Sequence, residues 1–140
     1  GTIIRTAEAV GASGVAITPN TVDPYNAKSV RASMGSILRL PVVKVQNGHN
    51  FVIACKERGF QTAALELNGR ETPFELDMTV PTVVMVGQEG AGLAAEELLD
   101  FDHRIRIPMA ETIDSLNVAI SAAVVLYEAM RQRTSRAVAR

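Results

Sequence analysis

The chain has 140 residues, 47% of them hydrophobic and 21% charged, enough to bury a core and too ordinary a mixture for a fibrous or disordered segment. No apolar run approaches the ~20 residues of a membrane-spanning helix, and the single Cys55 has no second cysteine to pair with. A formal net charge of −1 excludes a positive field over the whole chain, the usual footprint of a nucleic-acid binder.

In chain order, "TIIRTAEAVGA" predicts a helix closed by Gly11, and "GVAITP" a short buried strand stopped by Pro19. "NAKSVRASMG" predicts a second helix, capped by the Asp23-Pro24 turn and ended by Gly35. "PVVKV" reads as a strand, "GHNFVIACKERG" as a helix stopping at Gly59, and "QTAALEL" as another strand. "NGRETPFELD" is polar and turn-rich, hence loop. "PTVVMVG" is the strongest strand signal, followed by a short helix "AAEELLD" and an alternating late or edge strand "HRIRIP". In the last helix Val118, Ala122, Val125, Leu126, Ala129 and Met130 form one apolar stripe, with Ser115 and Asn117 expected in its first turn.

Strands and helices alternating at this interval predict an α/β fold, a mostly parallel sheet flanked by helices, in one domain over residues 1–140. The chain opens on helical residues without a start methionine or capping residue, as expected of a piece whose preceding segment was removed. One cysteine with His49 and His103 cannot build the usual Cys/His zinc cage, so no metal is expected. Both histidines read as surface or interface residues, and Cys55 as core packing beside Phe51 and Val52. Two stretches carry cations and no acid. One is "RQRTSRAVAR", with Arg131, Arg133, Arg136 and Arg140; the other is "KSVRASMGSILR", with Lys28, Arg31 and Arg39. They read either as solvated faces or as local phosphate contacts.

Ligands of open α/β sheets bind beyond the carboxyl ends of strands, and two turns there are unusual. After "TVVMV" comes "GQEGAG", three glycines around Glu89, which predicts backbone passing very close to another segment or a ligand. It is neither G-x-G-x-x-G nor a Walker loop, so neither a dehydrogenase nor a phosphate cradle is supported. After "HRIRI" comes "PMAETIDSLN", where a helix cap would use only one of Asp114, Ser115 and Asn117.

These segments carry a resemblance. "VVMVGQEGAGL" and "IRIPMAETIDSLNVAISAAVVLYEAMRQR" resemble motifs 2 and 3 of the SpoU (TrmH-like) RNA 2′-O-ribose methyltransferases of the SPOUT superfamily. "GTIIRTAEAVGASGV" is similar to most of motif 1, with Arg5 as its arginine, and "TVDPYNAKSVRASMGSILRLPV" to the connecting region. The asparagine and strand that open motif 1 in the family are absent before Gly1.

The resemblance implies a deep C-terminal trefoil knot, against the general rule that chains do not thread. It implies S-adenosylmethionine as methyl donor and no metal. The donor's adenosine would be held by backbone at Gly87, Ile107 and Leu116, with Met109 and the glycine loop, including Gly92, completing the pocket. The reaction would be methylation of a ribose 2′-hydroxyl in RNA, ribosomal in the main reading and transfer RNA in the alternative. A catalytically retired, knotted RNA-binding module is the reading from another class. Arg5 would clamp the target phosphate and stabilise the developing alkoxide, since a guanidinium of pKa above ~12 is an awkward base, and the 2′-hydroxyl proton would pass either to the phosphate or to Arg5. Glu89, Ser115 and Asn117 would orient Arg5 and the ribose. Family likeness further implies a homodimer built on the first and last helices, while the single Cys55 suits a reducing, cytoplasmic compartment.

Overall fold

The computed structural model describes residues 1–87 and 92–139. They fall into two compact units, Gly1–Gly48 and His49–Arg140.

The first unit runs α1 (Thr2–Ala9), β1 (Val15–Ile17), α2 (Ala27–Ser33), a 3-10 turn at Ser36–Leu38, and β2 (Val42–Lys44). Ile4 and Ala7, three residues apart and therefore on one face of α1, are buried. The start of α1 lies so close to α2 that a Cβ on Gly1 would stand 2.3 Å from the Ser29 carbonyl oxygen and 2.7 Å from the Ala32 Cβ. The cap of α2 differs from expectation. Asn26, not the Asp23-Pro24 turn, takes this role, its Oδ1 accepting the Ser29 N–H at 2.9 Å. Only a residue directly before the helix can reach its third amide, and Asp23 lies too far back. Its carboxylate pairs instead with Lys44 at 2.9 Å. Met34 and Gly35 then both adopt positive φ, +49° and +84°, and break α2 into the 3-10 turn. β1 and β2 pair in parallel, from Val15 with Val42 to Ile17 with Lys44.

The second unit runs α3 (Gly48–Glu57), β3 (Gln61–Leu65), β4 (Thr82–Val86), α4 (Ala95–Leu98), β5 (His103–Ile105) and α5 (Val118–Val138). Its sheet is parallel throughout, in the order β4-β3-β5, with Leu65 opposite Val86 on one side and Ile105 on the other. The expected parallel α/β architecture is therefore present in both units. Central β3 is lined by small side chains, and its Thr62, Ala63 and Ala64 are fully buried. Ala63, Leu76, Met78, Ile105 and Val125 make the core, with Leu65, Val84, Ile107 and Ala129 packed around it. Burial of residues the size of Met78 or Ile105 contributes roughly 1.5–3 kcal/mol each.

Polar groups of α5 fix the long connection between β3 and β4. Gln132 accepts the Met78 N–H at 2.8 Å and donates to the Leu76 carbonyl at 3.0 Å. Glu128, nearly buried, receives two hydrogen bonds from Arg131 and one from Gln132, all 2.8 Å, and the arginine holds its carboxyl below the ordinary range.

That connection, read from sequence as simple loop, also grips β5. Glu71 forms a parallel bridge to Ile105, which already pairs with Leu65. A strand residue has only two edges, so residues 66–71 pass from one edge of β5 to the other around its carboxyl end. Four bonds seal the turn: Glu66 N–H to the Ile105 carbonyl, Arg70 and Glu71 N–H to Arg104, and Arg106 N–H to Glu71, at 2.8–3.2 Å. Gly69 sits at the closest point, where a Cβ would lie 2.4 Å from the Ile105 carbonyl carbon. Backbone cannot yield as a flexible side chain can. Gly69→Ala is therefore expected to lower stability by about 1–3 kcal/mol through overpacking, read from urea unfolding midpoints; an unchanged midpoint contradicts this close passage.

Candidate functional site

Because β4, β3 and β5 are parallel, their carboxyl ends share one edge of the sheet. Gly87 leaves β4 there, and residues 106–117 leave β5 two strands away, roughly 10 Å across at ordinary strand spacing. This is where parallel sheets bind ligands.

The glycines at this edge serve two separate needs. A Cβ on Gly87 would stand 2.3 Å from the Gly92 carbonyl carbon and 2.6 Å from its oxygen, so Gly87 is required by close approach. Gly92 has open space around its Cα but takes φ +68°, so it is required by conformation. The main chains of Gly87 and Gly92 thus meet directly, with no side chain between them. Glu89 lies outside the described residues.

Past β5, Ile107 is half-buried against the core and Met109 is half-buried beyond it. The segment then turns, with the Ile113 N–H bonded to the Ala110 carbonyl at 3.1 Å. Asp114, Ser115 and Leu116 are exposed. Helix α5 starts later than expected, at Val118, so Ser115 precedes the helix and Asn117 is its cap. The Asn117 Oδ1 accepts from the N–H groups of Ala119 and Ile120 at 2.9 and 3.3 Å. Gly87, Gly92 and the 107–117 segment therefore share one edge of one unit. Arg5 belongs to the first unit, exposed on α1, its own N–H bonded to the Gly1 carbonyl at 3.0 Å.

Both histidines singled out by sequence have carboxylate partners. His49 Nδ1 lies 2.5 Å from an Asp100 carboxylate oxygen, and His103 Nδ1 lies 2.7 Å from one of Glu71. Lys56 bridges the Asp100 carbonyl and the Asp102 carboxylate, tying α3 to the start of β5. Burial opposes ionisation of Asp102, yet hydrogen bonds from Lys56 and Thr62 outweigh it and hold the carboxyl below its usual range. Cys55 is half-buried, and burial raises its thiol pKa, away from reactivity.

Three of the four C-terminal arginines have partners on α5 or on the connection before β4, and Arg140 lies outside the described residues. Arg131 pairs with Glu128, Arg133 donates to the Met78 and Val80 carbonyls, and Arg136 donates to Thr79. Among the described residues no cluster of three His, Cys, Asp or Glu side chains could hold a metal, and no helix is long and apolar enough to cross a membrane. Sequence reasoning missed Gly69 and Glu71, which seat β5 and hence the segment leaving it. Their only signal was a glycine in a polar stretch, indistinguishable from an ordinary turn.

Residues 1–127 match the sequence model of the SpoU rRNA Methylase family. The chain is 41% identical over 133 residues to an uncharacterized tRNA/rRNA methyltransferase of Synechocystis sp., covering 95% of this chain and 48% of that protein. It is 38% identical over 140 residues to a 23S rRNA (uridine(2479)-2′-O)-methyltransferase of Streptomyces viridochromogenes, covering 96% of this chain and 49% of the relative. Among solved structures, it resembles the SpoU methyltransferase AviRb from Streptomyces viridochromogenes in complex with the cofactor AdoMet, at TM-score 0.89 and 37% identity. That match covers 96% of this chain and 55% of the other. The chain thus spans about half the length of the curated relatives it matches.

The cap geometry yields a test of its own. Asn117→Ala removes the acceptor for two amides and is expected to cost about 1 kcal/mol, whereas Asn117→Asp keeps an equivalent acceptor and stays within about 0.5 kcal/mol of the parent. Equal unfolding midpoints for both variants would contradict the assignment.

Proposed function

The chain belongs to the SpoU rRNA Methylase family, and from that premise we propose that it transfers a methyl group from S-adenosylmethionine to a ribose 2′-hydroxyl of RNA, ribosomal RNA in the first instance. One observation carries the reading: the main chains of Gly87 and Gly92 meet directly at the same sheet edge from which residues 106–117 depart. The names of the Synechocystis and Streptomyces relatives support it.

The residues present fit the donor. Adenosine is flat, with hydrogen-bonding edges, and suits main-chain groups of Gly87, Ile107 and Leu116 backed by half-buried apolar walls such as Met109. When bound there, S-adenosylmethionine would supply an electrophilic methyl group on a sulfonium. The protein's task is then to hold the ribose oxygen in line and help it shed a proton. Arg5 is assigned to the target phosphate as a bidentate clamp, which also favours negative charge growing on the 2′-oxygen. Glu89 and Ser115 orient the guanidinium and ribose. Asn117, whose Oδ1 accepts the Ala119 and Ile120 amides at the start of α5, is assigned with them to orienting the same groups. Residues 1–140 form the catalytic domain in this reading. The loop of residues 66–71 around β5 supports a threaded, knotted C-terminal region. Ile120, Tyr127 and Met130 leave α5 partly apolar toward solvent, which supports a homodimer, and the single cysteine of the sequence suits a cytoplasmic one.

Calorimetry with S-adenosylmethionine, followed by methyl transfer to ribosomal RNA, tests the assignment. Arg5→Ala is expected to abolish methylation while leaving donor affinity nearly unchanged; equal, large losses of both would make Arg5 structural. Asn117→Asp, stable by its preserved cap, is expected to lower turnover at least about tenfold, or 1.4 kcal/mol of barrier. Turnover equal to the parent would reduce Asn117 to a cap.

A further inference from the structure

The second basic stretch has a different fate from the C-terminal one. Residues 1–48 hold five lysines and arginines against two acids, whereas the rest of the chain holds nine against thirteen. The near-neutral total therefore conceals an excess of three positive charges in the first unit. Both acids of that unit are taken. Glu8 binds Arg39 through two hydrogen bonds of 2.6 and 2.8 Å, which push its carboxyl down to about 2 and keep the pair ionised. Asp23 binds Lys44, which lowers its pKa likewise.

Arg5, Lys28 and Arg31 remain, all exposed and without an ion-pair partner among the described residues. Lys28 and Arg31 are three residues apart on α2, neighbours along its surface. They flank Ser29 and Ala32, the residues against which Gly1 packs, and Arg5 stands one helical turn beyond Gly1. The excess charge thus collects along the α1–α2 contact. Tyr25, 55% exposed, stands three residues before Lys28.

Exposed cations kept apart from any acid gain most from a partner that releases counterions. A nearby exposed aromatic ring adds a surface on which a base can stack. We propose that Lys28 and Arg31, with Tyr25, form a rail that takes the backbone and one base of the RNA substrate, leaving Arg5 for the target phosphate. This rests on the RNA methyltransferase reading above and adds residues that reading leaves unused.

The test uses the full-length protein and a fluorescent single-stranded oligouridylate over a series of salt concentrations. Lys28→Gln/Arg31→Gln is expected to reduce the slope of log affinity against log salt by about 1.4, two contacts at roughly 0.7 each. Tyr25→Ala is expected to weaken binding about tenfold with the slope unchanged. Donor affinity and unfolding midpoints should stay at parental values, since all three side chains are exposed. An unchanged slope in the double variant, or unchanged affinity in Tyr25→Ala, overturns the rail. So does a parent protein that ignores oligouridylate and binds phosphatidylserine vesicles instead. A parent that binds oligouridylate with the expected slope changes, yet methylates no RNA, supports the rail while removing the enzymatic reading.

Discussion

Main-chain groups around Ile105 are held from both edges of β5, by Leu65 and Glu66 on one side and Glu71 on the other. The arrangement needs a residue without a side chain at Gly69, because two stretches of backbone meet there with no room for a Cβ. It also fixes where residues 106–117 emerge from the sheet, and so where a ligand wall can form. Buried Ile105 sits in the core beside Met78 and Val125, so the same residue joins the seating of β5 to the packing of α5. Site and core are therefore mechanically one in the second unit.

Polar side chains of α5 complete that coupling. Gln132, Arg133 and Arg136 bind the connection that leads from the β5 loop into β4, whose far end is Gly87. A helix that began as an apolar stripe in the sequence thus also serves as a polar clamp. Its N-terminus carries Asn117, whose side-chain oxygen caps the helix at the edge where residues 106–117 leave the sheet. Family membership and the similarity to an AdoMet-bound SpoU methyltransferase give this edge its chemical reading.

Much of the fold was legible in the sequence because periodicity reports burial directly. Every predicted strand and helix has its counterpart, from "VVK" to the 21-residue α5. What was illegible depended on tertiary neighbours. Asn26 and Asn117 cap their helices, which depends on where each helix begins, a boundary that composition cannot locate to one residue. Glu71 pairs with Ile105 across a large sequence separation, so its stretch reads as turn chemistry alone. The two acid-free stretches looked alike, yet Arg131, Arg133 and Arg136 are spent on the fold while Lys28 and Arg31 face solvent. Pairing decides the fate of a charge, and sequence shows only its presence.

A crystal of the protein soaked with S-adenosylmethionine tests the central claim most directly. The account predicts the donor at the carboxyl edge of β4 and β5, its adenosine against the main chain of Gly87, Ile107 and Leu116. Density at any other place, with that edge closed by side chains, would contradict it.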